Sequence, residues 1–238
     1  MTAHRSTERA RVVGAVADLI SERADGRRFR VGVDGVDGVG KTTFAAELAA
    51  ALRGRGSEVV QVSADRFHQR RELRHRRGRH SPEGFFLDSY DLRALVDDVL
   101  VPMGPDGEGR YRPGVHDVAT DELIDLPWMP APPAAVLVVD GLFLQRGELR
   151  AHWDFVVFLD APFEVTVARM AGRDGSHPDP AHPSVRRYVE GQRLYFAACA
   201  PREHADVVID NSDLARPVVR TLTRGQGRAA PTRKSRMS

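Results

Sequence analysis

The glycine-rich stretch VGVDGVDGVGKTTFAAELAAAL at residues 31–52 constrains the fold more than any other segment. Its first residues predict a β-strand, its alanine- and leucine-rich end predicts a helix, and the turn between them fits G-x-x-x-x-G-K-[ST]. In such a turn, backbone N–H groups and the positive end of the following helix face one anion. The sequence therefore predicts a nucleotide-binding loop (the P-loop) formed by Gly35, Val36, Asp37, Gly38, Val39, Gly40, Lys41, Thr42 and Thr43.

Lysine usage supports this interpretation. Lys41 and Lys234 are the only lysines among 35 basic residues, and all the others are arginine. A compact ammonium group fits inside a phosphate-binding loop where the planar fork of arginine does not. We expect Lys41 to reach the β- and γ-phosphates of ATP, and the Thr42 hydroxyl to hold Mg²⁺.

Five short apolar runs indicate the fold class. Most are nearly continuous in apolar character, as expected for strands covered on both faces, and helical stretches lie between them. They are residues 29–34, 58–63, 135–140, 154–160 and 206–210. A helix is also predicted over residues 7–20. The pattern predicts an α/β fold: a P-loop NTPase with three α/β/α layers, a mostly five-stranded parallel sheet and a lid.

Two long segments interrupt the alternation of strands and helices. Residues 66–80, within an insertion at about 66–90, hold seven arginines and three histidines, and residues 102–133 are rich in proline and glycine. Insertions of this length are usually functional loops or disordered. We expect a single domain over residues 1–220 and a basic, disordered tail over 221–238, which contains no acidic residue.

The composition narrows the class of protein. Net charge is +2, 42% of residues are hydrophobic, and Cys199 is the only cysteine. No apolar stretch is long enough to span a bilayer, and one cysteine cannot form an internal disulfide. We expect a cytoplasmic protein with no membrane partner, for which nucleic acid is an unlikely partner. A homo-oligomer is compatible with the sequence.

Asp65 is the first candidate catalytic residue. It follows the second predicted strand in VVQVSADRFH and so lies at the sheet edge where α/β proteins bind ligands. A carboxylate there can accept the proton of an attacking hydroxyl or help to hold Mg²⁺. The alternative is a helix N-cap, which does not exclude a chemical role.

At this point the chain resembles the uridine kinase-like branch of P-loop kinases, whose relatives include phosphoribulokinase and bacterial pantothenate kinase. The resemblance covers residues 29–211. Beyond the P-loop and SADRFH, it depends on SPEGFFLDSYDL (81–92), RYRPGVHDVATDE (110–122), VLVVDGLFL (136–144), VARMAGRD (167–174) and YFAACAPREHADVVIDN (195–211).

The resemblance implies roles for four residues. Asp65 would be the base for the substrate hydroxyl, and Asp140 would assist the metal directly or through water. Arg169 and Arg173, one helical turn apart, would be arginines of a lid at about 173–187 that closes over the transferred phosphate. The alternatives are a simple Asp-Gly turn for Asp140 and solvated arginines for the helix. Arg186 and Arg187 are weaker candidates of the same kind.

The resemblance also implies substrate contacts. Tyr111 and His116 keep the five-residue spacing of the family's nucleobase-binding pair, although YRPGVHD departs from the family's Tyr-Asp-Phe. Asp88 or Asp91 would hold a substrate hydroxyl such as a ribose diol. A surface loop for the Tyr111 and His116 pair and a helix cap for Asp91 are the alternatives.

These observations predict an enzyme that uses ATP and Mg²⁺ to phosphorylate a small-molecule hydroxyl, on a nucleoside such as uridine. The arginine-rich segment leaves open a nucleoside monophosphate kinase, since GVDGVGKTT also resembles the P-loop of thymidylate kinases. A kinase for another metabolite such as pantothenate is a further alternative. A nucleotide-dependent switch or RNA-binding ATPase is the alternative from another class.

Overall fold

The computed structural model describes residues 2–223, with side chains from residue 7 onward. Its strands are β1 (Phe29–Gly35), β2 (Val59–Ser63), β3 (Arg110–Tyr111), β4 (His116–Asp117), β5 (Glu122–Leu123), β6 (Met129–Pro130), β7 (Val136–Asp140), β8 (Phe155–Asp160), β9 (Val207–Asp210) and β10 (Val218–Leu222). Its α-helices are α1 (Thr2–Ala24), α2 (Lys41–Arg53), α3 (Arg71–Arg74), α4 (Pro82–Asp88), α5 (Leu92–Leu95), α6 (Gly147–Arg150), α7 (Phe163–Asp174), α8 (Arg186–Cys199) and α9 (Pro201–His204).

A six-stranded sheet in the order β10-β9-β8-β1-β7-β2 forms the centre of the fold. Strands β1, β2, β7, β8 and β9 are parallel, whereas β10 pairs antiparallel with β9. The five predicted strands and the α/β fold class are therefore confirmed. The predicted opening helix is present and extends beyond both predicted ends, from residue 2 to residue 24.

The sixth strand corrects the predicted start of the tail. Strand β10 includes residues 221 and 222, which were expected to be disordered. All five of its residues are exposed, so no apolar face marks it in the sequence. It forms because it pairs with β9, and Arg220 contacts Asp210 of that strand at 2.6 Å. The rest of the predicted tail, residues 224–238, lies outside the described residues.

Side chains on the two faces of the sheet enter two separate cores. In β7, Val136 and Val138 join the core that includes α1 and α2, while Leu137 and Val139 join the core that includes Phe85 of α4 and residues of α8. Burial on both faces explains why the strands are continuously apolar. The result is three layers, with helices on each side of the sheet.

The strand register determines where the site is formed. Asp140, the last residue of β7, is paired with Val33 of β1 on one side and with Ser63 of β2 on the other. The loops that follow β1, β2 and β7 therefore leave the sheet side by side. These are the loops that contain the P-loop, Asp65 and Asp140.

The interrupting segments have short regular elements of their own. Residues 66–90 contain α3 and α4, and residues 102–133 contain two small antiparallel pairs, β3 with β6 and β4 with β5. The predicted lid covers the end of α7, an irregular stretch and the start of α8. Its function as a lid stays a prediction. In the part of the chain that is described, no helix is long and apolar enough to cross a membrane.

Candidate active site

The P-loop follows β1 and ends at the first turn of α2. Gly35 and Gly38 have φ angles of 153° and 75°, which favour glycine. A Cβ atom would also lie 2.3 Å from the Leu159 carbonyl oxygen at Gly35, and 2.6 Å from the Thr166 carbonyl oxygen at Gly38. The loop thus needs glycine both for its backbone conformation and for its close packing against β8 and α7.

Lys41 is folded back over the P-loop. Its Nζ donates hydrogen bonds to the carbonyl oxygens of Val36 at 2.9 Å and Gly35 at 3.3 Å. Burial lowers the pKa of Lys41 below its usual value, while surrounding carboxylates, including those of Asp65 and Asp140, act in the opposite direction. The ammonium group therefore lies at a place where an anionic ligand would help to keep it charged.

Thr42 and Asp140 place two oxygen atoms that could ligate a metal ion beside this lysine. The Thr42 hydroxyl donates a 2.7 Å hydrogen bond to Asp140 Oδ2. Burial raises the pKa of Asp140, whereas the hydrogen bond from Thr42 lowers it. A hydroxyl and a carboxylate beside a phosphate-binding loop fit Mg²⁺, which uses few protein ligands and completes its shell with phosphate oxygens and water.

Asp65 lies in a short 3₁₀ turn, residues 64–67, directly after β2. Ser63 caps this turn by accepting a hydrogen bond from the Asp65 N–H at 3.4 Å. The Asp65 side chain is 65% exposed, and it lies close enough to Lys41 and Asp140 to affect the pKa of each. The exposed carboxylate and the P-loop therefore face the same edge of the sheet.

Beneath the P-loop is a buried network that sequence reasoning missed. Asp34 is fully buried and accepts hydrogen bonds from Gly35 N–H at 2.8 Å, the Tyr195 hydroxyl at 2.5 Å and the Gln145 side chain at 3.2 Å. Burial raises the pKa of Asp34 although these hydrogen bonds oppose it. Tyr195 and Asp34 are 161 positions apart, so no local sequence pattern links them.

Helix α8 also contacts the loop directly. The Asp37 N–H donates to Gln192 Oε1 at 2.7 Å. Gln192 and Tyr195 lie three positions apart and thus on one side of the helix. Helix α8 therefore supports the P-loop at two points, which no sequence motif had indicated.

The candidate lid arginines differ in their surroundings. Arg169 donates to the backbone carbonyl oxygens of Asn211 at 3.1 Å and Ser212 at 2.6 Å, and the Asn211 side chain donates to Val39 of the P-loop at 2.7 Å. Arg173 is exposed and pairs with the adjacent Asp174 at 3.1 Å. Only Arg169 is thus linked to the P-loop, through Asn211.

The weaker candidates, Arg186 and Arg187, also differ from each other. Arg186 is exposed at the start of α8. Arg187 is buried, donates to the Arg79 carbonyl oxygen and lies over the ring of Phe85. In this conformation Arg187 therefore fastens the arginine-rich segment to α8.

Asp88 is buried at the end of α4 and is held by two arginines. Arg76 contacts one carboxylate oxygen at 2.5 Å and Arg77 the other at 2.9 Å. Burial acts to raise the pKa of Asp88, but the two arginines outweigh it and lower the pKa. Asp91, the alternative, caps α5 by accepting a hydrogen bond from Ala94 N–H at 2.9 Å.

Tyr111 and His116 are both buried in the 102–133 insertion. Tyr111 is opposite Met129 in the β3 and β6 pair. His116 Nε2 lies 3.3 Å from Asp121 Oδ1, and Asp121 also accepts from Arg74 of α3 at 3.1 Å. His116 affects the pKa of His68, which contacts Asp65. The insertion thus packs beside the Asp65 turn, and the substrate-binding roles of both residues stay predictions.

Together, the parallel sheet, the P-loop with Lys41 and Thr42, and the adjacent carboxylates define a P-loop phosphotransferase. A profile of the phosphoribulokinase / uridine kinase family matches residues 31–210. The chain belongs to this family, and it is a kinase, a P-loop phosphotransferase that acts on a small molecule. The alternative of a nucleotide-dependent switch or RNA-binding ATPase is not supported.

Individual relatives agree with this assignment. The chain is 28% identical to the uridine kinase of Deinococcus deserti over 211 residues, 83% of this chain and 94% of the relative. It is 34% identical to the thymidylate kinase of Xylella fastidiosa over 158 residues, 63% of this chain and 68% of the relative. The structure of a possible uridine kinase from Bacillus stearothermophilus has a TM-score of 0.61 at 23% identity, covering 80% of this chain and 98% of that one. This last likeness concerns the fold.

Proposed function

We propose that this kinase transfers the γ-phosphate of ATP to a hydroxyl group of a nucleoside such as uridine. The observation that carries the proposal is the exposed Asp65 carboxylate within electrostatic range of Lys41 and Asp140 at one sheet edge. The choice of a nucleoside is supported by the similarity to a uridine kinase across most of the chain.

In the proposed reaction, Asp65 accepts the proton of the acceptor hydroxyl while the oxygen attacks the γ-phosphorus. The bond between the γ-phosphorus and its bridging oxygen breaks, and ADP leaves. Lys41 and the P-loop amides hold the β- and γ-phosphates during this step. The residues thus supply orientation, a proton acceptor and positive charge, which are the requirements of phosphoryl transfer.

Thr42 and Asp140 are the residues that would hold Mg²⁺, Asp140 directly or through water. When bound, the cation neutralises charge on the β- and γ-phosphate oxygens. Arg169 and Arg173 would contribute further positive charge, and Arg169 has the better support because of its link through Asn211 to the P-loop.

An anionic acceptor, such as a nucleoside monophosphate, is the second candidate. Arg76 and Arg77 keep exposed fractions of 59% and 44% while they bind Asp88, in a segment that begins beside Asp65. Exposed guanidinium groups recognise phosphate well. The similarity to a thymidylate kinase supports this candidate independently.

The experiment is to measure ADP release from MgATP with uridine, cytidine, UMP, dTMP, pantothenate or no acceptor, using Lys41→Ala as the inactive control. We expect uridine or cytidine to stimulate release in the wild type alone. Stimulation only by UMP or dTMP would replace the first candidate by the second. If no acceptor raises ADP release above the level without acceptor, the proposed nucleoside kinase is wrong.

A further inference from the structure

Tyr90 is held opposite the Asp65 turn by the backbone. Gln69 N–H donates to the Ser89 carbonyl oxygen at 2.9 Å, and Asp91 N–H donates to the Phe67 carbonyl oxygen at 2.7 Å. These hydrogen bonds join two segments in a short antiparallel bridge in which His68 and Tyr90 are partners. The position of Tyr90 relative to Asp65 is therefore fixed independently of its side chain.

The side chains of this bridge hold Asp65 at two places. The Tyr90 hydroxyl donates to Asp65 Oδ1 at 3.0 Å, and His68 Nδ1 lies 2.8 Å from the Asp65 carbonyl oxygen. The rings of His68 and Tyr90 are 4.4 Å apart. Because a carbonyl oxygen can only accept, Nδ1 of His68 must carry a hydrogen.

The ionisation states of the two rings agree with these contacts. Burial, with the neighbouring Asp65 charge, raises the pKa of Tyr90 well above its usual value, so its hydroxyl remains a donor. Burial lowers the pKa of His68, so its ring is neutral at pH 7 and its 4.0 Å separation from Asp65 Oδ1 is not an ion pair. Tyr90 is thus the donor that holds this carboxylate.

We propose that Tyr90 is a positioning residue: its hydroxyl holds Asp65 Oδ1 and leaves Oδ2 to accept the proton of the acceptor hydroxyl. The inference rests on the proposed role of Asp65 as the base. A free carboxylate rotates among several orientations, whereas one with an oxygen held by a fixed donor presents the other in one direction. The other charged or titratable groups near this contact are Lys41, Asp140, His68 and Asp37.

The Tyr90→Phe variant tests the proposal because it removes the hydroxyl and keeps the ring, which also packs edge-on against Phe143. The matched control is Tyr188→Phe, since the Tyr188 ring packs against Phe85, 5.0 Å away, and takes no part in the Asp65 contacts. Two quantities are measured in each protein: the ¹³C NMR chemical shift of the Asp65 carboxyl carbon at pH 7, assigned with Asp65→Asn, and the rate of phosphate transfer from MgATP.

We expect the ¹³C signal of the Asp65 carboxyl carbon to move in Tyr90→Phe, because the hydrogen bond from the Tyr90 hydroxyl to Oδ1 is lost. With the best acceptor of the panel above, kcat should fall roughly 10- to 100-fold, as for a lost hydrogen bond to a charged group. The KM for ATP should stay the same, and Tyr188→Phe should match the wild type in both measurements.

An unmoved Asp65 signal in a folded Tyr90→Phe protein would overturn the proposal, as would a moved signal with unchanged kcat. These results differ from a failure of the proposed function itself. If no acceptor in the panel is phosphorylated, Asp65 has no demonstrated role as base and Tyr90 has no positioning role, while a moved Asp65 signal would still establish the hydrogen bond.

Discussion

At the scale of single residues, the hydroxyl group of Thr42 is the feature whose removal should affect the site most clearly. Its hydroxyl is 2.7 Å from Asp140 and joins the first turn of α2 to the end of β7. Replacing it by alanine leaves the buried Asp140 without this donor and removes one oxygen from the proposed Mg²⁺ site. Serine keeps the hydroxyl.

We therefore expect Thr42→Ala to lower kcat/KM for MgATP by roughly 10- to 100-fold, as for the loss of a hydrogen bond to a charged group. The Mg²⁺ concentration that gives half-maximal ADP release should also rise. Thr42→Ser should keep both quantities within a few-fold of the wild type. Equal losses in the two variants would show that the hydroxyl is not what the site uses.

At the scale of elements, the packing of α8 on α4 determines how the P-loop is supported. Gly191 lies at this contact: a Cβ atom there would be 2.7 Å from Phe85 Cδ1 and 2.8 Å from the Pro82 carbonyl oxygen. The next residue of α8, Gln192, bonds to the P-loop. Any shift of α8 away from α4 is thus transmitted to the nucleotide site.

Gly191→Ala should lower the free energy of unfolding by about 1–3 kcal/mol, as overpacking of a dense core does. Gly172→Ala in α7 is the matched control, because a Cβ atom there meets nothing within 4 Å. It should instead stabilise the protein by about 0.5–1 kcal/mol through helix propensity. Thermal unfolding of both variants checks this, and equal shifts in Tm would refute the packing argument.

The elements also show what sequence can predict. The P-loop and the five parallel strands could be predicted because each is formed by consecutive residues. The P-loop is recognised by its motif, and the strands by their apolar runs. The contact of Tyr90 with Asp65 depends instead on a pairing between segments 25 positions apart, and that of Tyr195 with Asp34 spans 161 positions. The resemblance implied that Asp88 or Asp91 holds a substrate hydroxyl, but it did not indicate the two arginines that bind Asp88.

At the scale of the whole molecule, an interaction between charged side chains stabilises the pairing of the edge strand β10 with β9. Asp210 of β9 accepts hydrogen bonds from Ser212 N–H at 2.9 Å and from Arg220 of β10 at 2.6 Å. These interactions lower its pKa from 3.8 to about 2. The carboxylate therefore contributes stability that is complete above its unfolded value and is lost as pH falls toward about 2.

Asp210→Asn should accordingly be less stable than the wild type at neutral pH, and the difference should shrink as the pH is lowered from about 5 to about 2. Denaturant unfolding at a series of pH values measures this difference. A constant difference across that range would mean that the ionised carboxylate does not fasten β10 to the sheet.

The reaction itself depends on Asp65, and the most direct test is the rate of phosphate transfer by Asp65→Asn compared with the wild type. The variant keeps the size of the side chain but cannot accept the proton, so we predict that transfer falls by about 10²- to 10⁴-fold. Its affinity for MgATP should be unchanged, because the P-loop, Lys41 and Thr42 remain. A folded Asp65→Asn protein that transfers phosphate at a rate within threefold of the wild type would contradict Asp65 as the base.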